Sequence, residues 1–203
     1  MKTPKIIWRG NPLSQITTNN SAAITKKEAE AIVIAAVKDA EILARAGIQY
    51  LNHAWDRKRR HRVKFWKHDP ILSVWFGSGK LTVRQIRITR RRMGHVHNFL
   101  ANKRLRIRLK EQKGNDTNAH NYGGPFSAKT FVLFPAWFGE RAVERPAIII
   151  HELFHEWFID HKDNQGNKYG EQAARNIARQ KPKTARRNPE NYEHYVLNFI
   201  NHL

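Results

Sequence analysis

The sequence contains no cysteine, so neither disulfides nor thiolate metal ligands are available to it. No apolar run approaches the length of about 20 residues that a membrane-spanning helix needs. The first ten residues also lack the continuous apolar stretch of a signal peptide. These absences predict a chain without a membrane span or signal peptide, cytoplasmic as synthesised, in which any metal is held by His, Asp or Glu.

Acidic residues are scarce, with 17 Asp and Glu against 37 Lys and Arg, which gives a formal net charge of +20. The stretch from Lys80 to Lys110 contains no acidic residue, and a second basic run covers Arg57 to Lys67. Such a surface would attract a polyanion through long-range, salt-sensitive forces. It could equally be a solvated face that keeps the protein soluble. The charge therefore indicates which surface would bind a polyanion, and it does not indicate the activity of the protein.

The length of 203 residues suits one domain, and six Trp and ten Phe supply bulky core material. Residues 1–24 have no hydrophobic periodicity, and we expect an irregular lead-in there, followed by a single domain over 25–203. Thr25 and Glu28 have the spacing of a capping box, which predicts the start of a long helix that ends near Trp55.

Further elements follow from periodicity and turn residues. Residues 71–79 are typical of an extended segment and turn, and strict alternation predicts a strand over Leu105–Leu109. The other expected elements are helices over 81–102, 146–160, 170–179 and 189–202 and a strand over 130–134. This pattern predicts an α+β fold that is mainly α, with helices packed around a small antiparallel sheet.

The run from His151 to His155 is the most informative motif, because it places two imidazoles one helical turn apart with Glu152 beside them. Zinc binds neutral imidazole, and a catalytic site needs three protein ligands with one position left to water. The motif therefore predicts a zinc helix in which Glu152 is the general base. The alternative is an amphipathic helix with two surface histidines.

A third ligand is expected beyond His155, where Asp160, His161 and Asp163 are the candidates. In a continuing helix Asp160 would point about 140° away from the shared metal. Asp163 begins a stretch with the composition of a turn, which can bring its carboxylate back over the helix. We therefore favour Asp163, with the other two left open.

Several separated segments carry a likeness to a known family. The zinc motif is followed by Tyr169-Gly170 and then by an asparagine-rich acidic stretch over 188–193, and Trp75-Phe76-Gly77-Ser78 lies upstream. In this order and spacing, over roughly residues 26–198, the chain resembles the aspzincin metalloendopeptidases, the deuterolysin and peptidyl-lysine metalloendopeptidase group. It departs from them because Asp163 lacks a preceding Gly-Thr and lies six residues before Tyr169, and because the secreted members rely on disulfides.

The resemblance implies a zincin-like fold and a Zn²⁺-dependent hydrolase that cuts protein or peptide substrates. It implies that Tyr169 stabilises the oxyanion, although a core tyrosine that anchors the loop is the alternative. Glu190 and Glu193 match acidic positions that, in lysine-specific relatives, line the pocket for the residue after the cut, which predicts a preference for Lys or Arg there. Their alternative role is to interact with the dipole of the last helix from its first turn.

The biological setting is less determined. The missing signal peptide and disulfides, together with the charge, favour a bacterial toxin or effector domain that a dedicated secretion system exports, with a cognate immunity or inhibitor protein. A fragment of a longer polypeptide would account for the same absences. The rival functions are a basic nucleic-acid-associated protein and a protease that acts on DNA-bound proteins.

Overall fold

The computed structural model describes residues 1–16, 24–111, 119–121, 130–157 and 170–203. Its strands are β1 (Lys5–Arg9), β2 (Arg106–Lys110), β3 (Ala119–Asn121) and β4 (Thr130–Leu133). Its α-helices are α1 (Lys26–Trp55), α2 (Arg59–His68), α3 (Leu72–Phe76), α4 (Val83–Asn102), α5 (Ala136–Gly139), α6 (Arg145–Trp157), α7 (Glu171–Gln180), α8 (Pro182–Ala185) and α9 (Pro189–Val196). Short 3₁₀ segments cover Pro12–Gln15 and Leu197–His202.

The long helix α1 begins at the predicted capping box. The amide of Glu28 donates to the Thr25 hydroxyl, and the Glu28 carboxylate accepts from the Thr25 amide in return. The small residues of α1 allow close packing, because a Cβ at Gly47 would lie 3.1 Å from the Tyr195 ring. The Tyr195 hydroxyl donates to the Gly47 carbonyl at 2.7 Å, so α1 is fixed directly against α9.

The sheet has the order β1-β2-β4-β3, and its first two pairings are parallel. Only β3 pairs antiparallel with β4 among the described strands. The expected antiparallel sheet is therefore wrong. The alternation of buried and exposed residues is the same in parallel and antiparallel strands, so it does not reveal strand direction. Direction depends on the connection, and the helices between β1 and β2 form the crossover that a parallel pair requires.

Two local predictions are also wrong. Lys5–Arg9 is not irregular, because it pairs with β2 as a strand. Residues 71–79 are not extended, because α3 begins there. The carboxylate of Asp69 accepts the amides of Ile71 and Leu72 at 3.0 and 2.8 Å, so the acid that breaks the chain also starts the next helix.

Most of the basic run over Arg57 to Lys67 forms α2. Helix α4 agrees with the periodicity and has a capping box of its own, formed by Thr82 and Gln85. None of the described helices combines the length and the apolarity that crossing a membrane would require. The observed architecture is mainly helical, with a small and mostly parallel sheet.

Helix α6 lies at the centre of this arrangement, where it contacts α1, α4, α9 and β3. Its aliphatic residues Ile149, Ile150 and Leu153 are fully buried. Because α6 is held by packing against these four elements, the direction of its polar side chains is fixed as well.

Candidate metal centre

His151 and His155 lie one turn apart on α6, and their Nε2 atoms approach to 2.9 Å. Two nitrogen atoms that bind one tetrahedral zinc at about 2.0–2.1 Å are about 3.3 Å apart. A small rotation of either ring would therefore allow both to share one ion. Convergent imidazole nitrogens are the donor chemistry that zinc prefers, so these residues fit the metal.

The opposite nitrogen of His151 faces α9. Its Nδ1 lies 2.8 Å from Glu193 Oε2 and 3.4 Å from Glu190 Oε2. A carboxylate at this distance accepts a hydrogen bond from Nδ1–H. The proton therefore stays on Nδ1, and the lone pair of Nε2 is left for a metal. The two acids of α9 therefore fix both the tautomer and the ring orientation of His151.

The charge around His151 favours a cation. Burial disfavours the imidazolium, but the hydrogen bond to Glu193 and the charges of Glu193, Glu152 and Glu190 outweigh it and raise the pKa of His151 to about 9. The ring itself is buried, with 7% of its surface exposed. The same negative surroundings would stabilise a metal ion at this imidazole.

Glu190 is engaged on all sides. Its Oε1 accepts the Gly170 amide at 2.6 Å and lies 3.2 Å from His194 Nε2, while Oε2 faces His151. Burial raises the pKa of Glu190, but hydrogen bonds from His194 and Gly170 and the charge of His151 lower it overall. This carboxylate connects α6, α9 and the start of α7.

Glu193 differs from Glu190 in one respect. Its Oε2 binds His151, and no described residue donates a hydrogen bond to its Oε1. The Glu193 side chain retains 16% of its surface exposed, against 7% for Glu190. Glu193 can therefore orient His151 and still present an oxygen to a further cationic group.

His151, Glu190 and Glu193 also form a group that could itself hold a metal, with ligand atoms within 4.8 Å of one another. In the structure the 2.8 Å contact between His151 Nδ1 and Glu193 is a hydrogen-bond distance. The Nδ1 side of the ring therefore forms a hydrogen bond, and the Nε2 side faces His155.

The remaining predicted residues are only partly placed. Glu152 lies on α6 beside His151 and is 6% exposed. Asp163 and Tyr169 lie outside the described residues, as do the alternative ligands Asp160 and His161. Gly170, which follows Tyr169 in the sequence, is described, and its amide donates a hydrogen bond to Glu190.

Sequence reasoning missed the asparagine that supports the site. Asn191 is fully buried, and its Nδ2 donates to the carbonyls of Trp75 and Ala174 at 2.7 and 2.8 Å. Asn188 donates to Asn191 Oδ1 at 2.8 Å. These bonds join α3 and α7 to α9. The signal available in the sequence was an asparagine between two acids of a predicted helix. If such a residue is buried, its amide needs hydrogen-bond partners from neighbouring elements.

His194 was also missed. Its ring stacks on Trp75, with 5.3 Å between ring centroids and an interplanar angle of 18°. Burial lowers the pKa of His194, but the hydrogen bond and charge of Glu190 raise it overall. His194 thus fixes Glu190 from the side opposite His151, and its spacing of four from Glu190 in a predicted helix was the signal for this contact.

Convergent histidines on a helix, with an adjacent glutamate and carboxylates behind one imidazole, are typical of metal-dependent hydrolases. The family model described as lysine-specific metallo-endopeptidase, aspzincin, matches residues 67–197. The chain therefore belongs to the aspzincin family, and it is a zinc metalloendopeptidase.

A solved structure agrees with this fold. The chain is similar to a zinc peptidase from Grifola frondosa, with a TM-score of 0.63 and 19% sequence identity over 87% of this chain and 98% of that chain. Among curated proteins, none matches the chain. The similarity in structure supports the fold, and the family match supports the resemblance inferred from the motifs.

Proposed function

We propose that this peptidase binds Zn²⁺ through His151 and His155 with Asp163 as third ligand, and that Glu152 is the general base. The convergence of the two Nε2 atoms at 2.9 Å, with Nδ1 of His151 held by Glu193, carries the proposal. Asp163 rests on the family resemblance and on the turn composition of its loop. The substrates are proteins or peptides.

The proposed chemistry divides between the metal and the chain. Bound zinc lowers the pKa of a water molecule towards neutrality and polarises the scissile carbonyl. Glu152 accepts the proton of the attacking water and delivers it to the leaving amine. Tyr169 donates its phenol hydrogen bond to the developing oxyanion. Glu193 and Glu190 keep the His151 ring in the orientation that directs Nε2 to the metal.

The decisive experiment compares metal content and peptidase activity in the wild-type protein and in Glu152→Gln. We expect the variant to retain one equivalent of zinc and to lose activity by about 10²–10⁴-fold, because a base is removed and no ligand is. His155→Ala should lose both zinc and activity. Glu171→Gln, a surface change on α7, is the matched control. Zinc loss in Glu152→Gln, or full activity in it, would contradict the assignment.

We further propose a preference for Lys or Arg after the cut. Support comes from the match to a lysine-specific family model and from Glu193 Oε1, which accepts no hydrogen bond from a described residue and can accept a charge-assisted one from a basic side chain. A peptide library varied at that position tests the preference. Indifference of the cleavage rate to the residue after the cut would contradict it.

The role of Glu193 in specificity can be separated from its effect on His151. In Glu193→Gln we expect the ratio of kcat/KM for Lys and Ala peptides to fall, because zinc occupancy affects both substrates equally. Glu190→Gln should leave that ratio unchanged, since the Glu190 oxygens are engaged by Gly170, His194 and His151. Equal ratios in wild type and Glu193→Gln would remove Glu193 from the pocket.

The setting of a toxin or effector that is synthesised in the cytoplasm, exported by a dedicated secretion system and matched by an immunity protein stays a proposal. It is supported by the absence of cysteine, which distinguishes the chain from disulfide-dependent secreted relatives. Expression of wild type and Glu152→Gln in separate bacterial compartments tests it. Toxicity of the wild type alone supports the proposal, and equal growth in every compartment contradicts it.

A further inference from the structure

Four arginines cluster around two aromatic rings where α1, α2 and α4 meet. Three guanidinium carbons approach the Trp55 ring centroid, at 3.8 Å for Arg62, 5.5 Å for Arg87 and 5.6 Å for Arg90. Arg57 lies 4.9 Å from the Phe65 ring centroid. We call Arg57, Arg62, Arg87 and Arg90 the basic face. Its residues take no part in the metal centre.

Neutral groups hold the basic face in place. Arg62 Nε donates to the Arg57 carbonyl at 3.0 Å, and Arg90 Nε donates to Asn52 Oδ1 at 2.5 Å. Arg57 Nη2 lies 2.8 Å from His53 Nε2. Within the part of the chain that the structure describes, no ion pair joins any of the four to an acid. The guanidiniums of Arg57, Arg62 and Arg90 are therefore oriented in advance by neutral partners, while most of their N–H donors remain available.

Crowding of like charges around one indole is unfavourable unless an anion neutralises it. Stacking on Trp55 and Phe65 offsets part of this cost through cation–π attraction, but it leaves the net charge in place. The first turn of α4, capped by Thr82, adds the partial positive charge of a helix N-terminus beside Arg84 and Arg87. The arrangement is complementary to several negative charges at once.

The residues around the basic face indicate which kind of polyanion would bind there. A membrane-binding face presents bulky apolar groups for insertion, but Trp55 and Phe65 are only partly exposed and carry guanidiniums on their rings. On α2 and α4, Ile88 is the one large hydrophobic residue exposed among those that the structure describes. A protein interface would need an apolar centre depleted in charge. Neither requirement is met here.

Nucleic acid is the polyanion that matches the shape and charge of the basic face. The ten residues of α2 span about 15 Å, and that helix contains basic residues and no acid. Phosphates of duplex DNA follow one another at about 3.4 Å of helix axis on each strand, so a helix of this length can face about four of them. The planar guanidinium group is suited to binding phosphate oxygens. We propose that the basic face binds the phosphodiester backbone of nucleic acid, without base specificity. This inference does not depend on the peptidase function.

The test is fluorescence anisotropy of the zinc-loaded full chain with a labelled 20-base-pair DNA duplex of arbitrary sequence, between 50 and 200 mM KCl. Four phosphate contacts predict a slope of about −3.6 in log Kobs against log salt, because each contact contributes about 0.9. Over this fourfold salt range affinity should fall by about 10²-fold. A slope near zero, or no binding at 50 mM KCl, overturns the proposal.

Two double variants separate the basic face from net charge. Arg62→Gln with Arg87→Gln should weaken binding at 50 mM KCl by at least tenfold and reduce the slope by about 1.8. Arg141→Gln with Arg175→Gln removes the same charge from arginines that pair with Glu144 and Glu171, and it should change affinity by less than threefold. Circular dichroism and the thermal midpoint establish that both are folded. Equal losses in the two variants overturn the proposal.

The remaining polyanions are competitors in the same assay. Polyglutamate of matched charge and vesicles containing phosphatidylserine are expected to displace the duplex only at much higher charge concentration. If either displaces it as well as unlabelled duplex does, the face is a general polyanion surface and the proposal of nucleic acid is wrong.

Discussion

The candidate metal centre and the basic face differ in how their charged groups are compensated. At the candidate metal centre, the carboxylates of buried Glu190 and half-buried Glu193 both lie within 3.4 Å of the His151 ring nitrogen Nδ1, so negative charge faces a group that favours it. On the basic face, Arg62, Arg87 and Arg90 share one indole ring, and their side chains are partly or fully exposed.

This difference indicates which of the two regions depends on packing in the buried core. The contact between His151 and Glu193 joins residues 42 positions apart and is maintained by buried packing between α6 and α9. The contacts of the basic face also join separate helices, since Arg90 and Asn52 are 38 positions apart, but they lie at the surface, where water can replace them. Changes near the metal centre should therefore be costly, and changes on the basic face should be tolerated.

Gly77→Ala is expected to have the largest effect, because it breaks the packing of the residue that follows α3 against α7. Gly77 has a φ of +66°, and a Cβ there would lie 2.1 Å from the Ala178 carbonyl oxygen. We expect the free energy of unfolding to fall by about 3 kcal/mol or more, measured by denaturant unfolding. Gly139→Ala is the control, since no described atom lies within 4 Å of its Cβ position. Similar stability of the two variants would contradict this account.

Asn191→Ala tests the buried amide that supports α9. It leaves the carbonyls of Trp75 and Ala174 without their donor, which should cost about 2–3 kcal/mol of unfolding free energy. Asn198→Ala is the matched control, because Asn198 also donates to two carbonyls but is exposed to water. Its cost should stay below about 1 kcal/mol. Equal costs would show that burial does not distinguish these two asparagines.

Glu193→Gln tests the charge compensation itself. Weakening the hydrogen bond to His151 Nδ1 should reduce zinc affinity by about 10–100-fold, measured by competition with a chromophoric chelator. The thermal midpoint of the zinc-free protein should change little in comparison. Glu171→Gln on α7 is the control and should bind zinc like the wild type. Unchanged zinc affinity in Glu193→Gln would remove the positioning role.

Arg87→Gln should have the smallest effect on stability. It removes one of the like charges around Trp55 without creating a cavity, so the free energy of unfolding should change by less than about 0.5 kcal/mol. The sign should favour the variant at low salt, where repulsion within the basic face is least screened. A loss of 2 kcal/mol or more would mean that the face is structural, and the contrast with the metal centre would fail.

Local patterns were enough for the elements with strong periodicity. The capping box of Thr25 and Glu28 and the stripe of α1 predicted that helix to within a residue at its start. The alternation of Leu105–Leu109 predicted β2 to within one residue. The segment over 71–79 failed because its aromatic residues follow neither period clearly over so few positions, and the hydrogen bonds to Asp69 decide its conformation.

The sequence by itself determined the family, the two histidines with Glu152 between them, and the basic surface, because each depends on residue type and short spacing. Only the tertiary structure decided the parallel direction of the sheet and the engagement of Glu190 and Glu193 with His151. Strand direction and contacts over 42 positions depend on how α6 packs against α9 and the sheet. Such packing is a property of the whole buried core, which no local pattern encodes.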